Sequence, residues 1–151
     1  MNKTGRTLLA IGGGANLAIA LLHLVIISIG PPAYIYFGAA ELAPLAEQGA
    51  PMPALVTFLL ALIFVAFGLY ALSGAGFLRR FPLLAVGLIG IGMVYTLRGL
   101  KVIPEEIAFV QEASVPGRAV VFSAVSLFIG IAYLAGTILH WRYLRGGKKQ
   151  E

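Results

Sequence analysis

The sequence predicts an all-α membrane protein with four transmembrane helices in an antiparallel bundle and short interfacial helices in the two outer loops. Three observations predict it: four long apolar stretches, a scarcity of charge, and a lopsided placement of the charges present. Of 151 residues, 60% are hydrophobic and only 11% are charged. A soluble domain carries about 25% charged residues, so water is not the solvent that most of this surface is built for. The length fits one domain.

A hydrocarbon core of roughly 30 Å takes about 20 helical residues to cross. The apolar stretches run from about Thr7 to Gly30, Pro53 to Gly76, Pro82 to Leu100 and Ala119 to Leu144. Their apolar character is continuous, whereas barrel strands alternate over about 10 residues, so helices are expected. The first stretch follows a basic start, as a signal peptide does. Its apolar region exceeds the usual 7–15 residues and Ile27-Ser28-Ile29-Gly30 offers no small-residue cleavage site, so it reads as a retained span.

Lys and Arg set orientation because basic flanks resist translocation. Lys3, Arg6, Arg79, Arg80, Arg142, Arg145, Lys148 and Lys149 fall on one side, eight of the eleven basic residues. The other side holds Arg98, Lys101 and Arg118 with five of the six acids, Glu41, Glu47, Glu105, Glu106 and Glu112. Both termini and the Arg79–Arg80 turn are therefore expected in the cytoplasm. The net charge of +5 is accounted for by topology, and no nucleic-acid partner is expected. Trp141 and Tyr143 stand where an aromatic belt would end the fourth span, and Tyr34, Tyr36 and Phe37 read as interfacial anchors of the first outer loop.

The two outer connections match at an offset of 65 residues. Residues 41–56 lie over 106–121 with six identities in 16 positions, among them Glu41 over Glu106, Glu47 over Glu112 and Pro51 over Pro116. Leu42 and Leu45, like Ile107 and Val110, share a helical face, which predicts a short surface helix in each loop. Pro53 and Pro116 suit the first turn of the following span, where a missing N–H costs nothing. Were the halves copies, their pseudo-two-fold axis would run along the membrane normal.

Lipid gives helices no hydrophobic reason to associate, so small and hydrogen-bonding residues mark the faces that meet. The first span offers Ala10, Gly14 and Ala18 on one face and Gly12, Asn16, Ala20 and His23 on the next. The second offers Thr57, Ala61, Phe64 and Gly68, and the third Gly87, Ile91, Val94 and Arg98. The fourth carries Ser123, Ser126, Gly130, Tyr133, Thr137 and His140.

No catalytic motif assigns an enzyme class. Gly12-Gly13-Gly14 lies inside a span rather than after a strand, so it is no phosphate loop. There is no cysteine, which removes thiolate chemistry and cysteine metal sites. The two histidines, His23 and His140, sit toward opposite membrane faces, so neither a metal site nor a bis-histidine haem is expected, and no cofactor is implied. His140, beside Trp141, reads as interfacial.

Five residues share the outer depth: His23, Glu41, Tyr95, Arg98 and Glu106. Ionisable groups within a membrane are costly and often functional. An Arg–carboxylate pair lowers the cost of either charge there, and Glu41, Glu105 and Glu106 are the candidates for Arg98. If the five converge, they form an outward polar pocket for a lipid headgroup or a small amphipathic molecule, with proton transfer within reach of the imidazole and carboxylates. The alternatives are an accessory subunit of a larger membrane complex and an oligomeric transporter or channel. Membrane lipids, a membrane-protein partner or further copies of the chain are the partners these readings imply.

Gly68-Leu69-Tyr70-Ala71-Leu72-Ser73-Gly74-Ala75-Gly76, Arg79-Arg80-Phe81-Pro82-Leu83-Leu84 and Leu97-Arg98-Gly99-Leu100 resemble a stretch of small four-span bacterial inner-membrane proteins of unassigned activity. The resemblance covers the second and third spans. It implies a bacterial inner membrane and carries no site residues. Small multidrug transporters also have four spans of this length, but their first span holds a glutamate and this one holds none.

Overall fold

A computed structural model of the chain describes residues 2–101, 103 and 116–144. The described residues are helical, with no strand among them. Helix α1 is Lys3–Ile29, α2 Pro31–Tyr36, α3 Ala43–Glu47, α4 Met52–Gly74, α5 Leu84–Gly99, α6 Gly117–Leu139 and α7 Trp141–Leu144, with a 3-10 turn at Ala40–Leu42. α1, α4 and α6 are each long and apolar enough to cross a membrane. α5 is apolar but only 16 residues long, about 24 Å at 1.5 Å per residue.

The helix ends follow from local chemistry. Gly30 adopts φ 79°, a conformation that L side chains rarely take, and Pro31 and Pro32 then open α2. Pro53 sits in the first turn of α4 as expected. Pro116 differs: it is extended, at φ −68° and ψ 136°, and precedes α6 rather than entering it. The fourth apolar stretch is not one helix to Leu144. α6 stops at Leu139, His140 turns, and α7 adds a single further turn. The matched segment 106–115 lies outside the described residues, and with it the second expected surface helix.

The chain divides into two compact units, Gly14–Gly68 and the remainder. In the unit formed by Met1–Gly13 and Leu69–Glu151, glycine lets helices touch. A Cβ on Gly92 would lie 2.8 Å from Leu134 Cγ, one on Gly130 would lie 2.6 Å from the Thr96 nitrogen, and one on Gly99 would strike the Leu127 backbone. As the α5 number falls the α6 number rises, so this pair runs antiparallel. The first turns of α1 oppose α6 in the same sense: Gly5 and Leu9 meet Gly136, and Gly12 faces the Tyr133 ring. Leu9, Leu88, Ile129 and Tyr133 are almost wholly buried here. Ser73 pins the turn after α4, donating to the Arg79 carbonyl at 2.9 Å and accepting from the Phe81 N–H at 3.1 Å.

The expected α6 stripe is buried throughout, from Ser123 to His140. Two other expected faces are corrected. On α1, Gly12, Asn16 and Ala20 are buried, whereas Gly14 and Ala18 are exposed and nothing lies within 4 Å of a Cβ at Gly14. On α5 the packed residues are Leu84, Leu88, Ile91, Gly92, Tyr95 and Gly99, while Val94 and Arg98 are exposed. Hydroxyls inside the apolar helices are satisfied within their own turns: Thr57, Thr96, Ser126 and Thr137 donate to the carbonyls of Pro53, Gly92, Phe122 and Tyr133 at 2.7–2.9 Å.

In the unit Gly14–Gly68, a small cluster of Ile26, Ala33, Tyr34 and Ala43 ties the segment after Gly30 to the end of α1. Tyr34, expected as an interfacial anchor, is buried within this cluster. Its phenol lies 3.5 Å from Thr57 Oγ1. The Thr57 proton is committed to the Pro53 carbonyl at 2.8 Å, so the phenol is the donor. Tyr36, by contrast, is exposed.

Candidate functional site

His23 stands on the half-buried face of α1, two turns before its end at Ile29. Its Nδ1 lies 2.8 Å from the Ile19 carbonyl. A carbonyl only accepts, so Nδ1 carries the hydrogen, and in the neutral ring Nε2 is left with the lone pair. The ring rests at 48° on Phe64, with centroids 4.8 Å apart. Two contacts thus fix the orientation of the imidazole and leave one nitrogen for chemistry. Glu41, in the same unit, is exposed on the 3-10 turn between α2 and α3.

Tyr95 and Arg98 belong to the other unit and lie one turn apart on α5. Tyr95 is buried against Tyr133, with rings 6.4 Å apart and 27° from parallel, so it serves the α5–α6 contact. Arg98 points out of that contact and is exposed at the helix end. Glu106 lies outside the described residues, as does Glu105. Two of the five expected residues, His23 and Glu41, therefore fall in one unit, and two in the other.

A second imidazole was not expected to matter. His140 is 2% exposed, and neither ring nitrogen has a hydrogen-bond partner. It packs under the first turns of α1, where a Cβ on Gly5 would lie 3.1 Å from the His140 Cβ, and its ring centroid is 4.6 Å from that of Tyr143. Burial holds its pKa below the ordinary histidine value. The positive charge of Arg6 acts the same way, and the Asn2 backbone, which faces the ring without hydrogen-bond geometry to either nitrogen, opposes it. The sequence signal was the polar stripe of α6, which His140 continues. Its neighbour Trp141 pointed instead to the interface.

Among the described residues no group of three or more histidine, cysteine, aspartate or glutamate side chains is placed to hold a metal ion. No protein-family model matches the chain, and neither a curated protein nor a solved structure matches it.

Proposed function

We propose that the chain is a four-span protein of the bacterial inner membrane, with both termini cytoplasmic, that binds a lipid-like or small amphipathic ligand near its outer surface. α5 is the third of the four spans of an antiparallel bundle, bounded by Arg79 and Arg80 before it and by Arg98 and Lys101 at its far end. The short helices between Pro31 and Glu47 lie along the outer membrane surface. Reporter fusions are expected to place the Arg79–Arg80 turn inside the cell, and an external reading there would overturn the orientation.

The observation that carries the binding role is the held imidazole of His23. An ionisable ring well inside an apolar helix is expensive. Here its Nδ1 is spent on Ile19 and its face on Phe64, so the ring is preorganised with a single acceptor to offer. An amphipathic molecule with a hydroxyl or amine donor at its polar end and an apolar tail fits that acceptor and the solvent around it. Glu41, in the same unit and set at the outer flank by the charge pattern, supplies a charged group such a headgroup would meet.

The chain purified in mild detergent is expected to retain one amphipathic species, identified by mass spectrometry. His23→Leu and Glu41→Ala are each expected to lower retention about tenfold, the cost of leaving one polar group of a bound ligand unpaired. Expression and elution volume should not change. Wild-type retention by both variants sinks the reading.

A further inference from the structure

α1 begins with two cations and no acid, and beside them the fold leaves a groove of about 640 Å³ lined by Lys3, Arg6, Thr7, Ala10, Ile11 and Phe77. The Arg6 guanidinium stacks on the Phe77 ring, 4.7 Å from its centroid. Stacking fixes the position of the guanidinium through its face and leaves the N–H donors along its edge for an acceptor. Lys3 lies on the same side of the helix three residues earlier. Among the described residues no carboxylate lines the groove. Below the cations the wall turns apolar, and it is open: Ile11 is 46% and Phe77 57% exposed.

A cationic rim above an exposed apolar wall is complementary to one kind of molecule, an anion that carries a hydrocarbon chain. From these contacts we infer that the groove binds an anionic phospholipid, its phosphodiester held by Lys3 and Arg6 and one acyl chain laid along Ala10, Ile11 and Phe77. The site is at the basic end of α1 and stands apart from the His23 reading, so either can fail alone. A free phosphate would use the two cations and ignore the apolar wall. The bilayer supplies the lipid at high local concentration, and Ile11 and Phe77 would otherwise serve no polar ligand.

The test is native mass spectrometry of the full chain from mixed micelles holding equimolar phosphatidylglycerol and phosphatidylcholine. Each cation near an anionic headgroup contributes about fivefold to binding, so the wild type is expected to favour phosphatidylglycerol roughly 25-fold. Lys3→Gln with Arg6→Gln should bring the ratio close to one. That variant will fold, because removing cations from the first turn of a helix relieves repulsion from its dipole. Ile11→Trp keeps both charges and fills the wall, and it should lower lipid retention while leaving the response to added inorganic phosphate unchanged. A wild-type ratio near one, or a charge-neutral pair that keeps its preference, overturns the inference. Loss of preference on adding millimolar inorganic phosphate, with Ile11→Trp behaving as wild type, overturns it in favour of a free anion.

Discussion

Gly99→Leu is expected to abolish the folded protein: expression falls, and what is extracted elutes in the void volume. The α5–α6 pair is held by backbone-to-backbone approach. A Cβ at Gly99 would meet the nitrogen and Cα of Leu127, and one at Gly130 would meet the backbone of Thr96. A clash with a side-chain tip can be relieved by a rotamer, but a clash with main chain must move a helix. Overpacking a core typically costs about 1–3 kcal/mol, and separating two helices along their seam forfeits much of the contact on both. Marginal stability of about 5–15 kcal/mol leaves little room for that.

Even Gly99→Ala and Gly130→Ala should lower the melting temperature by several degrees. Two open glycines, one in α1 and one in α5, supply the control. Nothing lies within 4 Å of a Cβ at Gly14 or Gly90, so alanine there should be neutral or stabilise by about 0.5–1 kcal/mol through helix propensity. If all four alanine variants melt alike, close glycine packing is not what holds this unit.

The second large effect concerns His140. Replacing it with leucine is expected to raise stability at neutral pH and to remove the protein's sensitivity to acid. A neutral imidazole brings one donor and one acceptor, and each left unpaired on burial costs about 1–3 kcal/mol. The ring is covered by its immediate neighbours yet close to the edge of the protein, which puts the gain at the low end, about 1–2 kcal/mol. The pH dependence has a definite sign. The folded pKa lies below the unfolded value, which is about 6.5, so below that pH the unfolded chain binds the extra proton and stability falls. The slope is at most about 1.4 kcal/mol per pH unit for one such group. Thermal melts in detergent between pH 7.5 and 5.0 should show a drop for the wild type and a flatter line for His140→Leu. Parallel lines would show that another group titrates.

How much of this was legible beforehand differs from residue to residue. Three long apolar helices were readable because apolar length is a property of sequence alone, and α1, α4 and α6 begin and end within a few residues of expectation except at the C-terminal end. The α6 stripe was readable because serine, glycine and threonine in an apolar helix have few other reasons to recur at one angle. The face of α1 was not, since glycine and alanine recur at the same spacing on two adjoining faces and only the partner decides between them. On α5 the expected face was anchored on Arg98, a charged residue, and the packed face is rotated away from it toward Leu88, Tyr95 and Gly99. His140 was read as interfacial because Trp141 follows it, although it also continues the α6 stripe that is buried. Of the expected outer site, the lone-pair geometry of His23 depends on one hydrogen bond that no spacing could foretell.

The brevity of α5 bears on where such a protein is at ease. At about 24 Å it falls short of an average hydrocarbon thickness of roughly 30 Å, and each ångström of mismatch costs a fraction of a kcal/mol. Leu83, just before it, is 78% exposed in a left-handed backbone conformation, an apolar side chain that the described residues leave largely uncovered. Acyl chains that pinch inward around this helix would cover Leu83 and shorten the gap at once. Reconstitution into bilayers of shorter chain length should therefore preserve the fold to a higher temperature than reconstitution into longer ones.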